Sequence, residues 1–407
     1  MKQSDLLTRT VKENPKDEVS LNAKLLTRGG FVDKLASGIY TYLPLGLRVL
    51  EKIKTIVREE MDSIGAQEIL MPSLLPKDNW EKTGRWNVSE MYKIHDENLG
   101  LGWTHEEIVT PLVKKHILSS HDLPRAVYQI QNKFRNEPRA KSGILRGREF
   151  LMKDLYSFHN NEESLDEYYE RVKKAYLRIY ERCGLKEKTY LTLAGGGAFT
   201  NGFSHEFQTI TPAGEDIIYI CKGCGSAINK EVFNQTCSCG GKDFIEEKSI
   251  EVGNIFKLGT KYSEVFDLKN EEGKHLIMGC YGVGISRLMG TIAEVFNDDK
   301  GIIWPKSVAP FAIHLVSLDM GNIDVKQKTE EIYSILQNSN LEVLYDDRDL
   351  KTAGEKLNDC DLIGIPLRLV VSQKTLKEES VEFKRRGEEG TELIKISELI
   401  DFLKNEI

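Results

Sequence analysis

Two strand-like runs joined by a basic, turn-forming loop constrain this chain more than any other stretch. Residues 134–159 read FRNEPRAKSGILRGREFLMKDLYSFH, and β-branched and aromatic residues (Val127, Tyr128, Ile130, Phe134) lead into them. Pro138 through Ser142 and Gly143 supply turn chemistry, so the spacing predicts two antiparallel strands around a polar hairpin loop. Alternation along a strand sets Arg135 and Glu137 on one face of the first strand, and Arg148, Phe150, Met152 and Asp154 on one face of the second. Such a face suits a nucleotide: guanidinium groups bond phosphate bidentately, a carboxylate accepts from an exocyclic amine, and a ring stacks on a base. The alternative on pattern alone is a charged edge hairpin facing solvent.

FRNE, the short loop and LRGREFLMKDLYSF resemble motif 2 of the class II aminoacyl-tRNA synthetases, and REFLMKD and YSF are most similar to the prolyl-tRNA synthetases. The resemblance implies that Arg135 holds the α-phosphate and the amino-acid carboxylate, Glu137 the adenine amine and Phe150 the adenine face. It also implies that the loop from Pro138 to Arg146 reaches the acceptor end of tRNA.

A chain of 407 residues has room for two or three domains, and 40% hydrophobic content supports ordinary cores. Its net charge of -7 argues against a polyanion-binding surface over the whole molecule, leaving local clusters such as Arg135, Arg139, Lys141, Arg146 and Arg148. No run approaches a membrane span, and MKQSDLLTRTVKENPKDEV has no apolar core of signal-peptide length. Asp5, Glu13, Asp17 and Glu18 speak against a mitochondrial transit segment. The expectation is a cytoplasmic protein with no membrane or DNA partner, and an odd count of seven cysteines fits a reducing compartment.

Leu45 to Ile64 is predicted as an amphipathic helix, with Leu47, Leu50, Ile53, Val57 and Met61 at spacings of three and four and Gly65 at its end. AQEILMPSLLP then reads as a short strand closed by Pro72. Helix, strand and proline in that order resemble class II motif 1, which implies an isologous homodimer; an ordinary helix packed on a sheet is the alternative. The two tryptophans of NWEKTGRWNVSEMYKIHD read as core anchors; the resemblance implies that this segment is part of the wall below the active site, and no chemistry is assigned there. Thr104, His105, Glu106 and Glu107 precede a helix and form a capping pattern. They also resemble the prolyl family's Thr-x-Glu loop, which implies that Thr104 and Glu106 hold the secondary ammonium of proline.

Asn160 to Cys183 is predicted as a helix. The glycine run after Ala194 is a weak phosphate signal against ordinary loop geometry. SHEFQ is similar to the prolyl segment in which a histidine, here His205, closes on the proline ring, with Gln208 toward the ribose or phosphates. Cys221 and Cys224 form CxxCG, and Cys237 and Cys239 form CxCGG after twelve intervening residues. Four thiolates on two glycine-supported turns suit structural Zn²⁺, although the second pair is one residue short; reduced free thiols and redox chemistry are the alternatives. HLIMGCYGVGISRLMG is a strand, a glycine turn and a helix from about Ile285. GVGISR resembles motif 3, implying that Arg287 meets the γ-phosphate or pyrophosphate and that Gly279 and Cys280 floor the proline pocket. Without motif 2, a glycine-packed strand-to-helix joint would serve as well.

Beyond Val308 to Pro310, strands and helices alternate in a small mixed α/β pattern similar to the class II anticodon-binding domain. Lys384, Arg385 and Arg386 lie on a predicted strand, either contacting RNA or forming an exposed charged edge. The expected fold class is α/β (α+β), with an antiparallel catalytic sheet over 1–308 and an anticodon-binding domain over 309–407. A four-cysteine segment at 217–245 stands where many bacterial prolyl enzymes carry an editing domain. The resemblance implies a ligase that consumes ATP with Mg²⁺, takes L-proline and tRNA(Pro) as partners, and lacks editing in cis. Rival readings are another class II synthetase and a non-catalytic RNA-binding or regulatory paralogue.

Overall fold

The computed structural model describes residues 1–407 except 17, 96, 118, 139, 141 and 196–202. Arg139 and Lys141 of the basic cluster, and the glycine run after Gly195, therefore lie outside the described residues. The chain forms two compact units, one from 35–40 and 53–291 and the other from 1–34, 41–52 and 292–407.

The largest sheet of the first unit has nine strands. Helix α1 (Pro44–Ser63) ends at Gly65, whose φ of 79° is readily reached only without a Cβ, and leads to the two-residue strand β1 (Gln67–Glu68). Helix α2 (Glu106–Lys114) is followed by the expected hairpin, β2 (Arg125–Phe134) and β3 (Glu149–His159), antiparallel with Phe134 opposite Glu149. β2 ends one residue before Arg135, so Arg135 and Glu137 stand on extended chain beyond the ladder. The Arg135 N–H donates to Arg148 O at 2.8 Å and carries the register one step further. Asn161 caps α3 (Glu162–Arg182), its side chain accepting from Ser164 N at 2.9 Å. Buried Tyr168, Tyr169, Tyr176 and Tyr180 give α3 a broad aromatic stripe.

Next come β4 (Thr189–Gly195), β5 (Phe203–Ile210), β6 (Asp216–Cys221), β7 (Ala227–Asn229), β8 (Phe244–Gly259), β9 (Ile277–Gly284) and α4 (Ile285–Val295). The sheet order is β5-β4-β7-β6-β8-β9-β3-β2-β1, with β5 also paired to β8. β8 hands over at Ser249, which faces Asp216 of β6 and Ile210 of β5. β5, β4, β7, β6 and β8 thus close into a small ring. The sheet is antiparallel except where β1 runs beside β2 and β7 beside β4.

The second unit holds β10 (Ile313–Leu318), α5 (Ile323–Asn338), β11 (Val343–Asp346), α6 (Ala353–Ile363), β12 (Leu367–Ser372), β13 (Ser380–Arg385), β14 (Glu392–Lys395) and α7 (Leu399–Glu406). Its sheet runs β11-β10-β12-β13-β14, parallel through the first three strands and antiparallel after them. Lys2 bridges Tyr345 in parallel, so N-terminal residues extend this sheet. β13 lies between two strands and is no edge. Arg386 forks onto Asp298 at 2.6 Å through both terminal nitrogens, and Arg385 pairs with Glu406 at 2.8 Å and Glu392 at 3.1 Å. Two of the three basic residues expected to face RNA or solvent are therefore neutralised within the chain.

Candidate active site

Alternation along β3 turns Phe150, Met152 and Asp154 to the face opposite α3, into a cavity of about 300 Å³ that Thr104, Arg135, Tyr156, Glu206, Glu251, Cys280 and Arg287 also line. A second cavity of about 270 Å³ is lined by Arg135, Glu137, Arg146, Asp216, Glu251 and Arg287. Arg135 and Arg287 line both. The Arg135 guanidinium lies 5.2 Å from the centre of the Phe150 ring. Arg287, in the first turn of α4, donates to Leu145 O at 2.8 Å and Glu251 O at 2.7 Å. Burial and then Arg287 hold Arg135 below its ordinary pKa, so the wall stores positive charge that an entering anion would relieve. The Glu137 carboxylate accepts from Arg146 at 2.9 Å.

Thr104 and Glu106 sit at the head of α2. The Thr104 hydroxyl is 2.8 and 2.7 Å from the two Glu106 oxygens, and Cys280 Sγ is 3.4 Å from Oε1. Glu106 is wholly buried. Burial pushes its carboxyl up, but Arg85 and the Thr104 hydroxyl together outweigh that and hold it below the ordinary value. Local pattern does not single out Arg85, which lies in the segment expected to wall the site from below. It pairs with Glu106 Oε2 at 2.7 Å and forks onto Glu107 with two further bonds of 2.7 Å. Trp80, Trp103 and Tyr262 surround its guanidinium at 5.3, 4.9 and 5.1 Å. One cation thus serves two buried carboxylates, and burial pushes Glu107 up.

Beneath Thr104, buried Lys133 pairs with Asp154 at 2.7 Å and approaches His105 Nδ1 at 3.0 Å. Burial and Lys133 push His105 down to about 4, so its ring is neutral, with Nε2–H donating to Pro72 O at 3.0 Å. This network was also missed, because its members come from different elements.

Two expected positions differ from the structure for one reason. On β5, Glu206 faces the cavity, whereas His205 faces the α3 side, its Nδ1 2.8 Å from Tyr169 Oη in a surface cleft with Asp166, Glu170 and Lys257. On β9, Cys280 faces the cavity, and a Cβ on Gly279 would come within 2.2 Å of Tyr281 Oη on the opposite face. Neighbouring residues of a strand cannot share a face. Gln208 lies one step behind Glu206, donating to it at 2.9 Å and to Asp216 at 3.1 Å. Burial and Glu251 push Glu206 up to about 8, while burial and Asp216 raise Glu251.

Away from this cavity, the sulfurs of Cys221, Cys224, Cys237 and Cys239 all lie within 4.8 Å of one another.

Residues 92–296 match the class II tRNA synthetase core domain (G, H, P, S and T), and residues 309–406 match the anticodon binding domain. A proline–tRNA ligase from Anaplasma phagocytophilum (strain HZ) is 41% identical over 427 residues, covering 98% of this chain and 99% of its own. The chain belongs to the proline–tRNA ligase family. A member from Thermotoga sp. (strain RQ2) is 35% identical over 558 residues, covering 98% of this chain and 96% of its own. That longer alignment means the Thermotoga protein carries a stretch with no counterpart here. The fold agrees with a solved prolyl-tRNA synthetase from Cryptosporidium parvum complexed with halofuginone and AMPPNP, at a TM-score of 0.78 and 19% identity over 95% of this chain and 76% of that one. A second structure of that protein, with L-proline and AMP, has a TM-score of 0.77 at 19% identity over 95% and 74%. The class II proline ligase fold expected from motifs 2 and 3 is the fold observed.

Proposed function

We propose that this chain is an ATP-dependent proline–tRNA ligase whose chemistry takes place in the cavity between Thr104 and Arg287. A proline carboxylate oxygen attacks the α-phosphorus of ATP and pyrophosphate leaves; the terminal ribose hydroxyl of tRNA(Pro) then attacks the prolyl carbonyl and AMP leaves. The observation that carries this reading is the convergence of Arg135, Phe150, Arg287, Thr104 and Cys280 on one cavity, with Glu106 bonded to the last two.

In this assignment Arg135 neutralises the α-phosphate and orients the carboxylate, Phe150 carries adenine, Glu137 accepts from its amine, and Arg287 takes the terminal phosphates. Thr104 and Glu106 receive the proline ammonium. Gln208 acts through Glu206. Glu206 and Glu251 are half-buried carboxylates raised by desolvation and by like-charged neighbours, an oxygen set that fits Mg²⁺, which when bound neutralises phosphate charge. The four clustered sulfurs fit a structural zinc. Leu70 and Leu74, 75% and 51% exposed beyond β1, support a homodimer through the helix-strand-proline element. The reading also places the protein in the cytoplasm and the domain boundary at 308/309.

Pyrophosphate exchange with a panel of amino acids tests the assignment: exchange should depend on proline, and a preference for threonine or serine, or no exchange at all, overturns it. A non-catalytic paralogue is disfavoured because the ATP-facing set around the cavity is complete.

The structure has β6, β7, a helical turn and the start of β8 between Asp216 and Glu251, all within the ring rather than in a separate domain. Alanine fits any pocket that admits proline, and each missing methylene loses only about 1 to 3 kcal/mol. Some alanyl-adenylate should therefore form. Preformed alanyl-tRNA(Pro) incubated with the enzyme should hydrolyse no faster than in buffer, and faster deacylation refutes the absence of editing in cis.

A further inference from the structure

Resting on the zinc assignment, we infer that the four-cysteine cage is a brace for the active-site wall: it holds the segment that delivers Asn229 to Glu206. Cys221 closes β6 and Cys224 follows it in a turn whose Gly225 has φ 75°; Cys237 and Cys239 form a second turn whose Gly240 has φ 84°. Each turn is tied by a bond of 2.8 Å, from Gly225 N to Cys221 O and from Gly240 N to Cys237 O. The two turns come from opposite ends of the insert, yet Cys221 and Cys239 sulfurs are 3.7 Å apart and Cys224 and Cys237 sulfurs 3.5 Å apart. A disulfide needs about 2.05 Å. Tetrahedral zinc with bonds of about 2.3 Å sets its sulfurs about 3.8 Å apart, which is the spacing of these pairs. A Cβ on Gly241 would stand 2.9 Å from Cys221 Sγ, so the cage is approached closely by bare backbone.

Between the turns lie β7 and Glu231. Asn229 Nδ2 donates to Glu206 Oε2 at 2.8 Å, and the same Asn229 accepts from Glu231 N at 3.1 Å. The Glu231 carboxylate accepts from Gly195 N at 3.3 Å, and both Glu231 and Gly195 line the cavity with Glu206. Strand ladders tie β6 to β8 and β7 to β4 and β6, but the insert brings little apolar core of its own. Its own buried apolar residues are Ile218, Ile220 and Ala227, with a Tyr219–Phe233 stack at 3.8 Å outside them. So small a core needs a staple. Glu206 neighbours Glu251, whose main chain holds Arg287, so the brace bears on the ATP end of the cavity.

The test begins with elemental analysis of protein purified without added metal: about one zinc per chain is expected, and none overturns the proposal. Cobalt exchanged into the site should give thiolate charge-transfer absorption that Cys239→Ser weakens by about a quarter or more. ATP affinity is then measured by calorimetry at saturating Mg²⁺, for protein stripped with a zinc-selective chelator and for Asn229→Ala. Both should bind ATP roughly tenfold more weakly, the loss of one hydrogen bond to a carboxyl, with KM for proline unchanged. Asn229→Ala should keep its zinc, so it remains informative if Cys239→Ser fails to fold. Zinc present with ATP affinity unaltered in both proteins overturns the brace. A wild type that binds zinc but not ATP overturns the brace together with the catalytic reading, while leaving the cage.

Discussion

Replacing Arg135 with alanine is expected to lower proline-dependent pyrophosphate exchange by roughly 10²- to 10³-fold or more, the range seen when one fixed electrostatic contact to a developing charge is removed. The size follows from position. The guanidinium stands over the Phe150 ring at 5.2 Å and lines both cavities with Arg287, where burial and that second cation already disfavour its charge. The protein holds two positive groups together before substrate arrives, so an anion between them gains without reorganisation of the site. Among the described residues the Arg135 side chain makes one long hydrogen bond, to Trp103 O at 3.4 Å, so its loss should leave the unfolding midpoint essentially unchanged. Arg135→Lys should recover only part of the rate, since a point charge lacks the planar fork. Exchange within threefold of wild type in Arg135→Ala would remove Arg135 from the chemistry.

Arg85→Met is expected to have the largest effect on stability, about 3 to 5 kcal/mol at neutral pH, because it leaves two buried carboxylates without their shared cation. Arg85, Glu106 and Glu107 are nearly inaccessible, with side chains 7%, 0% and 0% exposed, so solvent screens little of the interaction. The pH dependence has a definite sign. In the wild type Glu106 is held below its ordinary pKa, so its contribution is present above the unfolded value and is lost as pH falls through the folded one. Glu107 is raised and works in the opposite sense, its contribution fading as pH rises above the unfolded value. Without Arg85 both carboxyls are raised and can escape their burial cost by taking up protons. The deficit of the variant should therefore be smaller at pH 5 than at pH 8. Urea unfolding at both values reads this, and a deficit below about 1 kcal/mol, the worth of an exposed pair, would show that the triad is not the buried unit described. Proline KM should also rise, since among the described residues Glu106 would keep Thr104 and Cys280 as its side-chain partners but no cation.

The features legible in the sequence were those written within a few consecutive residues. The β2–β3 hairpin, the capped helix α3 and the strand-to-helix joint at Ile285 each follow from local periodicity and turn chemistry, and motif order then identified the family. Alternation was equally local: it could separate His205 from Glu206 and Gly279 from Cys280. Which member of each pair meets the cavity depended on the face that α3 covers with its tyrosines, a matter of packing between elements. Arg85 reaches Glu106 and Glu107 only because the fold folds its turn back beneath α2, and nothing near Arg85 in the chain marks it as their partner. Cysteine spacing likewise pointed to one four-sulfur site, but the separations of 3.7 and 3.5 Å across the two turns are set by the fold. Local propensities are set by neighbours in sequence, whereas a buried charge finds its counter-charge, and a thiol its three companions, only across distances that the tertiary structure closes.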